Sequence, residues 1–94
     1  MAILIRYLST VRVKTGLREE AVILPEGSTL QDLVDHLNAG HGLSLPKSGI
    51  MILLGGRGWR QLSLKMATVL HEGQVVTLAP VVEGGINKIV EEST

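Results

Sequence analysis

Two adjacent glycines, Gly84 and Gly85, follow the run Pro80-Val81-Val82-Glu83, which reads as an extended arm. Lacking side chains, such a pair threads a slot too narrow for any other residue. A carboxylate at the end of such an arm is a familiar place for activation chemistry on a small protein. Here Ile86 to Thr94 follow Gly85 and block that carboxylate. The chemistry therefore requires removal of residues 86–94. If they stay, the pair is a hinge before a permanent segment, a common use of Gly pairs in linkers.

Other reactive groups point to no active site. Gly55-Gly56-Arg57-Gly58 lacks the lysine and Ser/Thr of a phosphate loop and reads as a hairpin turn needing positive φ. His36, His41 and His71 share no metal-ligand spacing and are expected to be solvated. Asp32 and Asp35 lie three apart on a helix and suit a solvated face. Trp59 either anchors a partner, as tryptophan often does at interfaces, or caps a small aliphatic core.

Composition narrows the classes. Nine basic residues balance nine acidic ones, so no overall field recruits nucleic acid or an anionic membrane. Tyr7 and Trp59 are the only aromatics, too few for base-stacking platforms. Without cysteine there is no disulfide, thiolate metal site or nucleophilic thiol, so any sulfur handled must come from a partner. The apolar start Met1 to Ile5 is too short for a signal peptide, and no run approaches the roughly 20 residues of a membrane span. A cytoplasmic protein is expected.

The arm needs a platform, and the pattern supplies one. Ile3 to Leu8 reads as a strand with Ile3, Ile5 and Tyr7 inward; Leu4, Arg6 and Leu8 share the outer face. Ser9 to Gly16 is expected to be irregular or briefly helical. Glu20 to Leu24 forms a second strand, antiparallel to the first. Leu30, Leu33, Val34 and Leu37 recur at i, i+3, i+4 and i+7 and mark a helix, with Ser28 and Gln31 at capping-box spacing and Gly40 as its stop. Ile50 to Leu54 reads as a buried central strand, Trp59 to Leu64 as a short return strand, and Val75 to Ala79 as the last strand. Ile3, Ile5, Tyr7, Leu30, Leu33, Val34, Leu37, Ile52, Leu54, Val76 and Leu78 are the expected core. The predicted architecture is α+β, a mixed sheet of four to five strands packed on one main helix.

Four segments occur in this order: Leu24-Pro25-Glu26-Gly27-Ser28-Thr29-Leu30-Gln31-Asp32-Leu33, Gly56-Arg57-Gly58-Trp59, Leu70-His71-Glu72-Gly73-Gln74-Val75-Val76, and Leu78-Ala79-Pro80-Val81-Val82-Glu83-Gly84-Gly85. Together they resemble the MoaD/ThiS-like sulfur-carrier family, with its ubiquitin-like β-grasp fold. Pro80 and the Trp59 hairpin resemble the branch of the molybdopterin synthase small subunit more than the thiamine branch. Two features depart from the family pattern: the chain continues past the second glycine, and the outward position before the proline is the small Ala79.

The resemblance implies a protein co-substrate rather than an enzyme. A ubiquitin-activating-like adenylyltransferase would use ATP to adenylate the Gly85 carboxylate once residues 86–94 are gone. A thiocarboxylate would follow, and its sulfur would pass to the molybdopterin synthase large subunit or another acceptor. The chain itself would bind no cofactor or metal. Gly85 would bear the sulfur, Pro80, Val81, Val82, Glu83 and Gly84 would form the activation arm, and Leu8, Trp59 and Ala79 are partner-docking candidates. A JAMM-type protease is the implied processing partner; nucleic acid and membrane are not. The expected division is a β-grasp domain over residues 1–83 and a Gly-Gly motif with extension over 84–94. A non-processed β-grasp binding module and a ubiquitin-like protein modifier remain the alternatives.

Overall fold

The computed structural model describes residues 1–81. In chain order these form β1 (Ala2–Tyr7), α1 (Ser9–Thr15), β2 (Glu19–Ile23), α2 (Leu30–His41), β3 (Ile50–Leu54), β4 (Arg57–Gly58), two 3-10 turns (Trp59–Gln61 and Lys65–Ala67) and β5 (Val75–Pro80). The strands make one five-stranded sheet in the order β2-β1-β5-β3-β4. β1 and β5 run parallel at its centre, and the other pairs are antiparallel. This is the mixed-sheet β-grasp architecture expected from the sequence.

Alternation along the strands sets the core. Ile3, Ile5 and Tyr7 of β1, Ile52 and Leu54 of β3, and Val76 and Leu78 of β5 point to one side. There they meet Leu30, Leu33, Val34 and Leu37 of α2 in a single buried cluster. Every expected core residue belongs to it. Val11 of α1, Val22 of β2, Leu24, Leu43 and Leu45 of the loop after α2, and Leu70 complete the cluster. The link after β1 is thus a two-turn helix with an inward anchor, stopped by Gly16 at φ 77°.

The ends of α2 are displaced from their predicted positions. The capping box is made by Thr29 and Asp32, one residue later than Ser28 and Gln31: the Asp32 N–H donates to Thr29 Oγ1 at 3.3 Å, and the Thr29 N–H donates to Asp32 Oδ2 at 2.9 Å. Thr29 bridges to Val69, which holds it extended and makes Leu30 the first helical residue. The helix also runs through Gly40 and stops at Gly42, φ 65°. Two tertiary ties carry it that far. The Asn38 side chain accepts from the Leu45 N–H at 2.6 Å and donates to the Leu45 carbonyl at 2.8 Å, and His41 reaches β2.

Two strand expectations change. β3 is not buried on both faces, since Met51 is exposed and β3 lies next to the short β4 rather than at the sheet's centre. Gly55 and Gly56, at φ 59° and 84°, make the tight two-residue turn foreseen for that motif. The return strand, however, spans only Arg57–Gly58 before Trp59 turns into a 3-10 helix packed against the core.

Candidate functional site

The sheet face turned away from α2 carries transverse rows fixed by register, three of which cross β5. The first contains Ala21, Leu4 and Val75. The second contains Glu19, Arg6, Thr77 and Leu53, with an ion pair of 3.5 Å between Arg6 and Glu19. The third lies at the end where the chain leaves the sheet. There the Leu8 N–H donates to the Leu78 carbonyl at 3.0 Å, which sets Leu8 beside Ala79, and Ala79 pairs with Met51.

This third row is a contiguous apolar strip. Leu8 is 47% exposed, Met51 37%, and Ala79 between them only 7%. Ala79 therefore forms the floor of a shallow saddle with Leu8 and Met51 as its walls, and an incoming side chain could settle between them. Of the residues singled out from sequence, the structure brings Leu8 and Ala79 together. It separates Leu4, behind the charged row. Met51 was missed because the run Ile50 to Leu54 reads as buried throughout; pairing it with the alternation of β5 would have exposed it.

The arm begins at the same end. The Val81 N–H donates to the Gly49 carbonyl at 2.8 Å, so Val81, at 40% exposure, is tied to the domain rather than standing clear of it. Pro80 closes β5 opposite Ile50. Val82, Glu83, Gly84 and Gly85 lie outside the described residues, as does the extension 86–94. Trp59 sits around the edge of β3, half-buried against the core, with the Arg60 guanidinium 5.4 Å from its ring centroid. Trp59 and Val81 both line a groove of about 360 Å³. Trp59 thus caps the core with one side and borders a hollow with the other.

The perturbed titratable groups lie elsewhere and hold the fold. Tyr7 donates its hydroxyl to Glu20 Oε1, and His41 Nε2 lies 2.6 Å from the same oxygen. Burial, then the bond to Glu20 and its charge, push the Tyr7 hydroxyl above its ordinary range. Burial alone would raise the Glu20 carboxyl. The hydrogen bonds from Tyr7 and His41, with the charges of His41 and His36, outweigh it and hold that carboxyl below its usual value. His41 is therefore a half-buried partner of β2 rather than a solvated histidine, and its ring packs edge-on to Tyr7. His36 and His71 are exposed as expected. Among the described residues, no group of three or more His, Asp or Glu is placed to hold a metal ion.

This fold has counterparts among solved structures. The Haloferax volcanii protein HVO 2177 matches at TM-score 0.75 and 28% identity, covering 90% of this chain and 87% of that one. A Pyrococcus furiosus protein assigned as molybdopterin converting factor, subunit 1, matches at 0.73 and 23%, covering 87% and 99%. The small archaeal modifier protein SAMP1 of Haloferax volcanii matches at 0.72 and 18%, covering 90% and 100%. No curated protein matches the chain. The model of the ThiS family, by contrast, aligns from Ile5 in the buried first strand to Gly85, the second glycine of the arm, and on that match the chain belongs to the ThiS family.

Proposed function

We propose that this chain is a sulfur-carrier protein whose working group is the carboxylate of Gly85, exposed by removal of residues 86–94. A ubiquitin-activating-like enzyme would bind the sheet face. The carboxylate oxygen then attacks the α-phosphorus of ATP, pyrophosphate leaves, and an acyl-adenylate forms. A sulfide-equivalent donor next attacks the acyl carbon and expels AMP, giving the thiocarboxylate. An acyl-adenylate hydrolyses readily, so both steps need a water-poor site that only a thin arm can enter. Gly84 and Gly85 supply the thinness, Pro80 to Glu83 the reach. The loaded carrier would pass its sulfur to the molybdopterin synthase large subunit or a related acceptor. Catalysis belongs to the partners, and a JAMM-type metalloprotease is the proposed processing enzyme.

The observation that carries this reading is the placement of the apolar saddle Leu8-Ala79-Met51 beside the departing strand β5. A partner gripping that strip would hold the arm at a fixed distance from its own active site, which lowers the entropic cost of positioning the reacting end. The test is ATP–pyrophosphate exchange with the cognate activating enzyme. Protein ending at Gly85 should support exchange, and the full chain should not. Intact mass after isolation from the native host should show loss of residues 86–94 and replacement of one oxygen by sulfur. Equal exchange by both forms would overturn the requirement for processing. A permanently full-length mass would favour the non-processed binding module.

The same activated end could instead be transferred to lysine amines, as in a ubiquitin-like modifier. The likeness to SAMP1 favours keeping this second reading. Covalent adducts of the chain on other proteins would support it, and their absence alongside a thiocarboxylate would leave the carrier.

A further inference from the structure

Acidic and basic residues balance along the chain, but the strand directions sort them in space. β1 and β5 run parallel and β3 runs against them. β5 therefore leaves the sheet between α1, which follows β1, and the loop 46–49, which precedes β3. Lys14 lies on the first of these and Lys47 on the second. Glu26, Asp32 and Glu72 belong to the other end, where β2 finishes, α2 begins and β5 starts. Glu19 and Glu20 share the exit end but are already engaged, Glu19 by Arg6 and Glu20 by Tyr7 and His41.

Between α1 and this loop lies a hollow of about 240 Å³. Val11, buried, and Ile50, half-buried, form its floor, and Thr10, Lys14, Lys47 and Ser48 stand exposed around it. Thr10 and Lys14, four apart on α1, share the helix face that meets it. Among the described residues neither lysine has a carboxylate within ion-pairing distance, and neither hydroxyl makes a side-chain hydrogen bond. Other hydroxyls are spent on the backbone, that of Thr15 on the Arg12 carbonyl and that of Thr68 on the Lys65 carbonyl. Two ammonium groups and two hydroxyls thus border one cavity uncommitted. An anion set between the two cations is attracted by both and offsets their mutual repulsion. The volume is below that of pockets enclosing a whole small-molecule ligand, so it suits a side chain projecting from a larger surface. The hollow also adjoins the saddle, because Leu8 precedes α1 and Met51 follows Ile50.

We infer that the hollow between Lys14 and Lys47 docks an acidic segment of the protein that grips the saddle. One Asp or Glu carboxylate is held between the two lysines, and Thr10 and Ser48 donate to its oxygens. Exposed charges of this kind act mainly on encounter: they speed association and select one orientation of the partner. The saddle is small and apolar and leaves the partner free to turn about β5. Lysines on both sides of the exit remove that freedom. That the partner is the activating enzyme rests on the carrier reading, whereas the preference for an acidic peptide rests on the hollow and is testable without any enzyme.

The experiment has two arms. In the first, amide shifts of the full chain are followed during titration with a hexaglutamate peptide and, separately, with inorganic phosphate. The peptide should move residues 10–14 and 47–50, and the double variant Lys14→Gln, Lys47→Gln should abolish the effect. Full-chain Val13→Asp is the control. It changes the net charge as much as Lys14→Gln does and sits on the same helix, but it is exposed, lies outside the hollow and is turned about 100° from Lys14. It should keep the shifts. Movement elsewhere on the sheet would overturn the site, and an equal response to phosphate would make it a free-anion site and overturn docking. In the second arm, association of the Gly85-ending protein with the activating enzyme is timed. The double variant should slow it about ten-fold at roughly 0.1 M salt, and the gap should close near 1 M, where screening shortens to about 3 Å. Slowing by Val13→Asp as large as that by Lys14→Gln, or equal rates for all proteins, would overturn the assignment to this partner. Absence of pyrophosphate exchange by the unaltered Gly85-ending protein would sink the carrier reading and leave the peptide result untouched.

Discussion

Removing the hydroxyl of Tyr7 tests how much the junction of β1, β2 and α2 depends on one carboxylate. Tyr7 is fully buried, and Glu20, with about a quarter of its side chain exposed, accepts from both Tyr7 and His41 through the same oxygen. A hydrogen bond to a charged acceptor contributes about 1.5–3 kcal/mol, and partial solvation of Glu20 places this one toward the lower end. Tyr7→Phe should thus cost about 1–2 kcal/mol at neutral pH, or roughly 4–16 °C in melting temperature for a domain of this size. Glu20→Gln weakens the acceptor, and in the double variant Tyr7→Phe adds less than it does alone. The cycle should return a coupling of about 1 kcal/mol by urea denaturation at neutral pH. The carboxyl of Glu20 is held below its unfolded value of 4.5. Its contribution is therefore complete above that value and fades as pH falls through the lower folded one. Coupling below about 0.3 kcal/mol, within the scatter of independent sites, would refute the reasoning. So would coupling that grows on acidification.

Other outcomes follow from the same geometry. Leu33 is fully buried under the sheet, so Leu33→Ala should lower unfolding free energy by about 2–5 kcal/mol in denaturant titration. Gly56→Ala meets no neighbouring atom but forces a Cβ onto φ 84°, so it should cost about 1–2 kcal/mol from the backbone alone. Leu8→Asp and Met51→Asp place charge on the saddle walls and should weaken binding to the activating enzyme about ten-fold or more, read by titration calorimetry, with melting temperature nearly unchanged. Val13→Asp, on an exposed position of α1, should leave that affinity intact.

Much of the fold was legible because it is written in short-range patterns. The period of α2 and the alternation of β1 and β5 gave every expected core residue of those three elements its side. The misplacements came where a tertiary partner overrode a local signal. Gly40 resembles a helix stop, yet Asn38 and His41, gripping Leu45 and Glu20, carry α2 past it. Ser28 has the spacing of a cap, yet the bridge from Thr29 to Val69 moves the cap by one residue. His41 looked solvated because its carboxylate lies 21 positions away in the chain, beyond any local pattern. At the site, Leu8 and Ala79 were found by following strand parity. Met51 and the groove beside it arise from register and from the early turn at Trp59, which no local run encodes.

The parallel pairing of β1 and β5 at the middle of the sheet also has a mechanical consequence. The arm is the continuation of a strand hydrogen-bonded along both edges, to β1 on one side and β3 on the other. A pull on the arm runs along β5 and loads both ladders in shear, so their bonds must give way together instead of peeling one by one from an edge. On the carrier reading proposed above, a partner drawing on the chain beyond β5 would therefore leave the domain behind it whole. The strand that holds the handle is the one most firmly riveted into the body.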